Sequence, residues 1–246
     1  MTRTTFAPLS TPRRTALFAG LVAALAIGAF APQFGSAGEA AVKIAPPAVD
    51  TTTNASGTQT AVFAGGCFWG VQGVFQRVHG VVQAVSGYAG GTEKTAVYEL
   101  VGSGLTSHAE AVKITYDPKK VSYGTLLQIY FSVAHDPTQL NRQDPDNGPQ
   151  YRSAVFHADA AQKETTEKYI AQLDAAKSYS KKIVTQVVPL TAFYPAEAYH
   201  QDYLTLNPTQ GYIARYDLPK IVNLKAIFPQ QYRAEPALVM ARAKAQ

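Results

Sequence analysis

The chain changes from one apolar pattern to another within residues 60–76, which read TAVFAGGCFWGVQGVFQ. The first five residues are a short apolar run that ends at two glycines, a pattern typical of a buried strand. Phe68, Val71 and Phe75 then recur at helical spacing. The sequence therefore predicts a strand followed at once by a helix, with Cys67 at the junction.

The elements on the C-terminal side of this junction complete a recognisable order. We predict strands at 81–85 and 108–116, a helix capped by Ser122, and a strand at 153–157. The order strand, helix, strand, strand, helix, strand indicates an α+β fold: a ferredoxin-like split βαβ core with a mixed sheet, helices and long loops. The other predicted elements are a turn at 87–91, a helix from Asp159 to about Lys177, a strand at 183–188 and a short helix at 195–204.

The segments before residue 59 differ from this pattern. Three arginines precede an apolar run at 16–31, and no charge lies between Arg14 and Glu39. Such a pattern predicts a secretory signal over residues 1–40 and an exported, periplasmic or otherwise extracytoplasmic protein. The run is shorter than the roughly 20 residues of a spanning helix, so a retained N-terminal membrane anchor is the lesser alternative.

Residues 41–58 are rich in Pro, Thr, Ser and Ala, which predicts a flexible linker. Residues 59–246 then form one domain with a C-terminal tail. Without residues 1–37, 19 basic residues face 17 acidic ones and no basic cluster remains, so a nucleic-acid partner is not indicated.

A single cysteine excludes an internal disulfide and argues against a zinc site built on cysteines. A calcium loop starting at Asp144 has the wrong spacing, because Val155 stands where a bidentate glutamate is needed. We therefore expect no metal and no bound cofactor, and we expect a monomer.

Cys67 follows two glycines at a predicted helix start, where unpaired N–H groups and the helix dipole stabilise an anion. We therefore expect a thiol pKa below the usual value near 8.5. Glu110 falls on the apolar face of its strand, where burial would raise the carboxyl pKa and make it a proton donor. The alternative is a frayed strand end at which Glu110 faces water.

The long polar stretch 135–150 is of a length that is usually functional.

These residues belong to an ordered series of motifs. Gly66-Cys67-Phe68-Trp69-Gly70 resembles the nucleophile motif of A-type peptide-methionine sulfoxide reductases. The later landmarks that resemble the family, in order, are 87–91 (GYAGG), 98–99 (YE), 108–110 (HAE), 135–139 (HDPTQ), 141–143 (NRQ), 146–153 (DNGPQYRS), 199–204 (YHQDYL) and 207–208 (NP). The resemblance covers roughly residues 60–220, with Ser107 standing where many relatives carry glycine.

The resemblance implies a role for each matching residue. Cys67 is the nucleophile that attacks the sulfoxide sulfur, and Glu110 is the acid that protonates the oxygen. The other implied roles are Tyr98 and Tyr151 as phenols that bind the oxygen, Asp146 as a carboxylate that positions the site through hydrogen bonds, and Phe68 and Trp69 as walls for the S-methyl group. Gly66 is a candidate substrate-binding residue on its own chemistry, because a glycine lets the backbone come close to a substrate.

The resemblance further implies reduction of the S epimer of methionine sulfoxide, free or in oxidised proteins and peptides, through a sulfenic acid on Cys67. Many relatives resolve this sulfenic acid with further cysteines, and residues 221–246 contain none. An external thiol is therefore implied: a thioredoxin-like or glutaredoxin-like protein, or a small thiol.

Two other classes of protein remain open on the residues alone. In a papain-like cysteine hydrolase, His108, His135 or His200 would pair with Cys67, although the sequence around Cys67 lacks the papain pattern. In a peptide-binding module, Cys67 would be inert and some of the fourteen tyrosines would form the binding surface.

Overall fold

The predicted strand-to-helix junction is present in the structure. The computed structural model describes residues 1–2, 4–5, 40–50 and 57–240. Strand β1 spans Gln59–Ala64 and helix α1 spans Phe68–Gln76, with Cys67 as the residue that precedes the helix.

The remaining elements follow in chain order. They are β2 Val81–Ala89, α2 Tyr98–Gly102, β3 Ala109–Tyr116, α3 Tyr123–Ile129, β4 Arg142–Gln143, β5 Asp146–Asn147, β6 Ala154–His157, α4 Ala160–Ala175, β7 Gln186–Pro189, β8 Phe193–Pro195, α5 Tyr203–Leu206 and α6 Leu218–Ile227. Two π-helical segments, Tyr130–Ala134 and Ile213–Asp217, directly follow α3 and precede α6. All of these elements belong to one compact unit, Ser36–Gln246.

The main sheet confirms the predicted α+β class. Its six strands lie in the order β7-β6-β1-β3-β2-β8, and the neighbours are antiparallel except for the parallel pair β6 and β7. The inner order β6-β1-β3-β2 is that of a ferredoxin-like split βαβ core. The edge strands β7 and β8 extend this core and make the sheet mixed.

Both faces of β1 are buried, which explains its continuous apolar sequence. Ala61 and Phe63 belong to the main core, into which α1 inserts Phe68 and Phe75. Val62 and Ala64 lie in a smaller cluster of mostly small side chains. Each fully buried phenylalanine contributes about 1.5–3 kcal/mol of transfer free energy, so the packing of α1 on the sheet is a major stabilising term.

The predicted helix caps are both present. The Ser122 hydroxyl accepts a hydrogen bond from Thr125 N–H at the start of α3 (3.0 Å), and Asp159 accepts one from Gln162 N–H at the start of α4 (2.8 Å). Side-chain acceptors at these positions satisfy backbone donors that the helix leaves unpaired.

Several predicted boundaries shift for reasons of tertiary structure. Strand β2 runs through most of the predicted turn at 87–91, because Gly87–Ala89 pair with β3 on one side and β8 on the other. The helix predicted at 195–204 is divided into a 3-10 turn, Ala198–His200, and α5, with the left-handed residue Asp202 (φ 59°) between them.

The segment 40–50 is packed against the domain. Val42 exchanges two hydrogen bonds with Ser132, Ile44 is buried, and the Asp50 carboxylate accepts the N–H of Gly124 (2.7 Å). This part of 41–58 therefore belongs to the packed unit rather than to the flexible linker expected from its composition.

The predicted signal over residues 1–40 lies almost entirely outside the described residues. Among the residues that the structure describes, no helix is both long and apolar enough to cross a membrane.

The C-terminal segment returns to the end of α1. Backbone N–H groups of Arg233 and Ala237 donate to the carbonyls of Arg77 and Gln76, both at 2.9 Å. The Asp202 carboxylate then accepts the N–H groups of residues 239 and 240 at 3.0 and 2.9 Å. These two hydrogen bonds hold Asp202, the residue that directly precedes α5.

The packing of α6 against α1 requires a glycine. A Cβ atom on Gly70 would lie 2.1 Å from Oδ1 of buried Asp217 and 3.0 Å from Nζ of Lys220, its ion-pair partner. We expect Gly70→Ala to lower the free energy of unfolding by about 1–3 kcal/mol or more, because overpacking forces the buried pair to move. Urea denaturation measures this change.

Gly102→Ala is the matched control. A Cβ at Gly102, the last residue of α2, would meet no atom within 4 Å apart from its chain neighbours and the backbone of its own helix. The same substitution there should be neutral or stabilising by about 0.4–1 kcal/mol through the unfolded chain. Equal unfolding free energies for the two variants would contradict the steric argument.

Candidate active site

A turn at Gly66 presents Cys67 at the start of α1. Gly66 adopts a φ of 83°, and a Cβ there would lie 2.6 Å from Cγ of Gln143. Both the left-handed conformation and the close approach favour glycine. Cys67 itself is 9% exposed.

The predicted site residues converge on one cavity. A pocket of about 150 Å³ is lined by Cys67, Phe68, Trp69, Tyr98, Glu110, Asp146, Tyr151 and Tyr212. Of the residues predicted to form the site, only Gly66 does not line the pocket, and it is the neighbour that turns Cys67 into it. A larger cavity of about 760 Å³, near Gly80 and Arg233, contains no cysteine.

Glu110 is a buried acid, as predicted. It lies on β3, is 2% exposed, and its Oε2 accepts the N–H of Phe68 at 2.9 Å. Burial raises the pKa of Glu110 to about 8; the Phe68 N–H opposes this shift, and the charges of Asp146 and Asp217 add to it. Glu110 is therefore mainly protonated at neutral pH and can donate a proton.

The expected lowering of the Cys67 thiol pKa is wrong. Burial raises this pKa well above its usual value, and negative charge on Glu110 and Asp217 raises it further, while the Trp69 N–H acts in the opposite direction. The first N–H of α1 donates to Glu110 instead of to the thiol. The resting site therefore holds a protonated thiol beside a protonated acid.

Two phenols enter the pocket from different segments. Tyr98 begins α2, and Tyr151 ends the 3-10 turn Pro149–Tyr151. Burial raises the pKa of Tyr98 to about 12 and also raises that of Tyr151, so both hydroxyls remain donors at neutral pH. The Arg152 guanidinium holds the Tyr151 turn by donating to the carbonyls of Pro149 (2.8 Å) and Ser107 (2.9 Å).

Asp146 has a partner that the sequence did not reveal. Its carboxylate accepts the hydroxyl of Tyr212, which precedes the π-helical segment leading to α6. Burial raises the pKa of Asp146, whereas the Tyr212 hydrogen bond and the positive charge of Lys220 lower it. Tyr212 follows Gly211 just beyond the last family motif, and only the fold brings it to the pocket.

The aromatic wall formed by Phe68 and Trp69 packs against further aromatic side chains. Trp69 stacks on Tyr203 with ring centroids 3.9 Å apart and meets the edge of Tyr212 at 6.1 Å. Its indole N–H donates to Nδ1 of His200 at 3.2 Å, and the His200 ring lies 5.1 Å from that of Phe68. Trp69 lines the pocket, at the position that the family resemblance implied.

The histidines do not form a Cys–His pair. His108 Nε2 contacts the carbonyl of Thr92 at 2.9 Å, and His135 contacts the carbonyl of Tyr130 and the hydroxyl of Ser153. None of the three candidate histidines lines the cavity, so a papain-like arrangement is not supported. Within the described part of the chain, no cluster of three His, Cys, Asp or Glu residues could hold a metal ion.

Comparison with known proteins gives a consistent result. The family model described as peptide methionine sulfoxide reductase matches residues 59–231. The protein named peptide methionine sulfoxide reductase MsrA 2 of Mesorhizobium japonicum is 62% identical over 187 residues, which cover 76% of this chain and 96% of that protein. A protein of the same name from Synechocystis is 48% identical over 197 residues, covering 78% and 92%.

Solved structures agree with these relatives. The crystal structure of reduced Mxr1 from Saccharomyces cerevisiae matches with a TM-score of 0.58 and 34% identity, covering 65% of this chain and 91% of that one. Methionine sulfoxide reductase A of Corynebacterium diphtheriae matches with a TM-score of 0.54 and 37% identity, covering 66% and 82%. By sequence and by fold, the chain belongs to the peptide methionine sulfoxide reductase family.

Proposed function

We propose that this enzyme reduces the S epimer of methionine sulfoxide, free or within oxidised peptides and proteins, with Cys67 as its nucleophile. The observation that carries the proposal is the composition of one small cavity. It combines a thiol, the protonated acid Glu110, the second carboxyl group of Asp146, three phenols and the aromatic walls Phe68 and Trp69. These groups match the parts of a methyl sulfoxide.

The sulfoxide oxygen carries partial negative charge and needs hydrogen-bond donors. Glu110, Tyr98 and Tyr151 supply them, and donors fixed in advance make the sulfur more electrophilic. Phe68 and Trp69 offer the apolar surface that suits the S-methyl group. The S configuration is inferred from the family resemblance.

Asp146 lines the same cavity as the three donors. As an acceptor of the Tyr212 hydroxyl, it fixes one edge of the cavity. We assign it a positioning role, through this hydrogen bond and through water.

The reaction transfers one oxygen atom between two sulfurs. The Cys67 sulfur attacks the substrate sulfur as Glu110 gives its proton to the oxygen, and the thiol proton then restores Glu110. The substrate S–O bond breaks, the hydroxyl ends on Cys67 as a sulfenic acid, and methionine leaves. Cys67 is oxidised by two electrons and the substrate is reduced by two, so the step is balanced without a cofactor.

Regeneration needs two external thiols, because Cys67 is the only cysteine in the sequence. The first thiol forms a disulfide with Cys67 and releases water, and the second releases the Cys67 thiol. A thioredoxin-like or glutaredoxin-like protein, or a small thiol, fits this role.

Export is a separate proposal that rests on the N-terminal pattern of arginines followed by an apolar run. Expression of the full chain in a bacterium, followed by fractionation and mass spectrometry, should give a shortened periplasmic protein. Full-length protein in the cytoplasm would contradict export, and full-length protein in the membrane would indicate a retained anchor.

Cys67→Ser tests the nucleophile. Racemic N-blocked methionine sulfoxide is incubated with wild type and variant, and the epimers are separated by chiral chromatography. Without added thiol, wild type should form about one methionine per enzyme; with dithiothreitol or a thioredoxin system, it should consume only the S epimer. Cys67→Ser should form none, because the serine hydroxyl cannot accept the oxygen as a sulfenic acid. Consumption of neither epimer by reduced wild type would refute the proposed function.

The pKa of Glu110 predicts how the rate of the first step depends on pH. Its acid form is required, and that form declines as the pH rises through about 8. The single-turnover rate should therefore be flat near pH 6–7 and fall about tenfold per pH unit well above pH 8.

Glu110→Gln retains a hydrogen-bond donor but cannot transfer a proton. We expect the rate at pH 7 to fall by about 10²–10⁴-fold and the decline centred near pH 8 to disappear. An unchanged profile in this variant would assign the titration to another group.

A further inference from the structure

One carboxylate outside the pocket connects two residues around it, Tyr88 and Tyr98. Glu197 lies in the loop after β8, and each of its oxygens accepts a different hydrogen bond. Oε2 accepts the hydroxyl of Tyr88 at 2.8 Å, and Oε1 accepts the backbone N–H of Tyr98 at 3.0 Å.

The hydrogen bond from Tyr98 N–H to Glu197 takes the place of a missing N-terminal cap on α2. Helix α2 has five residues, and Val97, its N-cap residue, provides no side-chain hydrogen bond. So short a helix is marginal without tertiary support, because nucleation costs more than its few hydrogen bonds return. Glu197 places a negative charge on the first N–H of α2, where a carboxylate is favourable.

The hydrogen bond from the Tyr88 hydroxyl attaches Glu197 to the sheet. Tyr88 is fully buried on β2, directly opposite Glu110 on β3, and its ring lies 5.9 Å from that of Phe68. Glu197 therefore fixes the position of α2 relative to the strands β2 and β3, the second of which carries Glu110. His200, three residues after Glu197, packs its ring 4.3 Å from the Tyr98 ring.

We propose that Glu197 is a positioning residue for sulfoxide reduction: its carboxylate fixes the start of α2, so that the Tyr98 hydroxyl is directed at the substrate oxygen. This inference rests on the proposed function. Glu197 does not line the pocket, so its influence on the reaction passes through Tyr98.

The charge state of Glu197 is consistent with this role. Burial raises its pKa, but its own backbone N–H, the Tyr98 N–H and the Tyr88 hydroxyl outweigh burial, and the pKa is lowered overall. Glu197 is thus an ionised acceptor, whereas Glu110 is a neutral donor. The two acids therefore hold opposite protonation states.

A double-mutant cycle tests the proposal. Glu197→Gln, Tyr98→Phe and the double variant are compared for single-turnover rate and for kcat and KM with methionine sulfoxide. We expect Glu197→Gln to lower the single-turnover rate by about 10–100-fold, because small misplacements of reacting groups have effects of that size. In the Tyr98→Phe background, Glu197→Gln should cause less than about a twofold further loss, because the group it positions is already absent.

Glu99→Gln is the matched control, since Glu99 is an exposed acid on the same helix and should leave the rates unchanged. Amide hydrogen exchange gives an independent readout: the Tyr98 N–H should exchange faster in Glu197→Gln than in wild type. If Glu197→Gln does not fold, Glu197→Asp replaces it, because the shorter acid keeps its charge but cannot hold both donors.

Two results would overturn the inference while leaving the proposed function intact. Losses that multiply in the double variant would show that Glu197 does not act through Tyr98. A lower melting temperature with full single-turnover rate would show a purely structural role. A wild type that reduces neither epimer would refute the proposed function itself.

Discussion

The hydrogen bond from Phe68 N–H to Glu110 is the constraint around which the pocket is arranged. It joins the first turn of α1 to the start of β3, so it fixes the helix that follows Cys67 relative to the strand that carries the acid. It also occupies the helix donor that would otherwise face the thiol. Burial then keeps both the acid and the thiol protonated, and the uncharged pair costs less to bury than two ions would.

Sequence patterns were sufficient for the parts of the fold in which local chemistry and tertiary structure agree. Local signals predicted their elements at the glycines before Cys67 and at the caps Ser122 and Asp159. Helices α2 and α6 were missed for different reasons. Helix α2 is very short and depends on the distant residue Glu197, whereas α6 buries Lys220, a residue that pattern analysis assigns to solvent.

The same distinction applies to the site. Seven of the eight residues predicted to form the site line one cavity, although they are spread over more than 80 residues of the chain. Sequence analysis missed Tyr212, Glu197 and the supporting role of His200, because their contacts join segments 66, 99 and 131 residues apart. The direction of the Cys67 pKa shift was also wrong, because position at a helix start indicates the dipole but not the depth of burial.

The stacking of Trp69 has a consequence for observing the enzyme. Trp69 is the only tryptophan in the sequence, and it lies in the pocket wall between the ring of Tyr203 and the edge of Tyr212. The tryptophan fluorescence of the protein, excited selectively over that of the fourteen tyrosines, therefore comes from the site alone. Substrate entry, oxidation of the adjacent sulfur and docking of a reductant all change the surroundings of this one fluorophore, so the unlabelled protein contains an optical reporter of its own catalytic cycle.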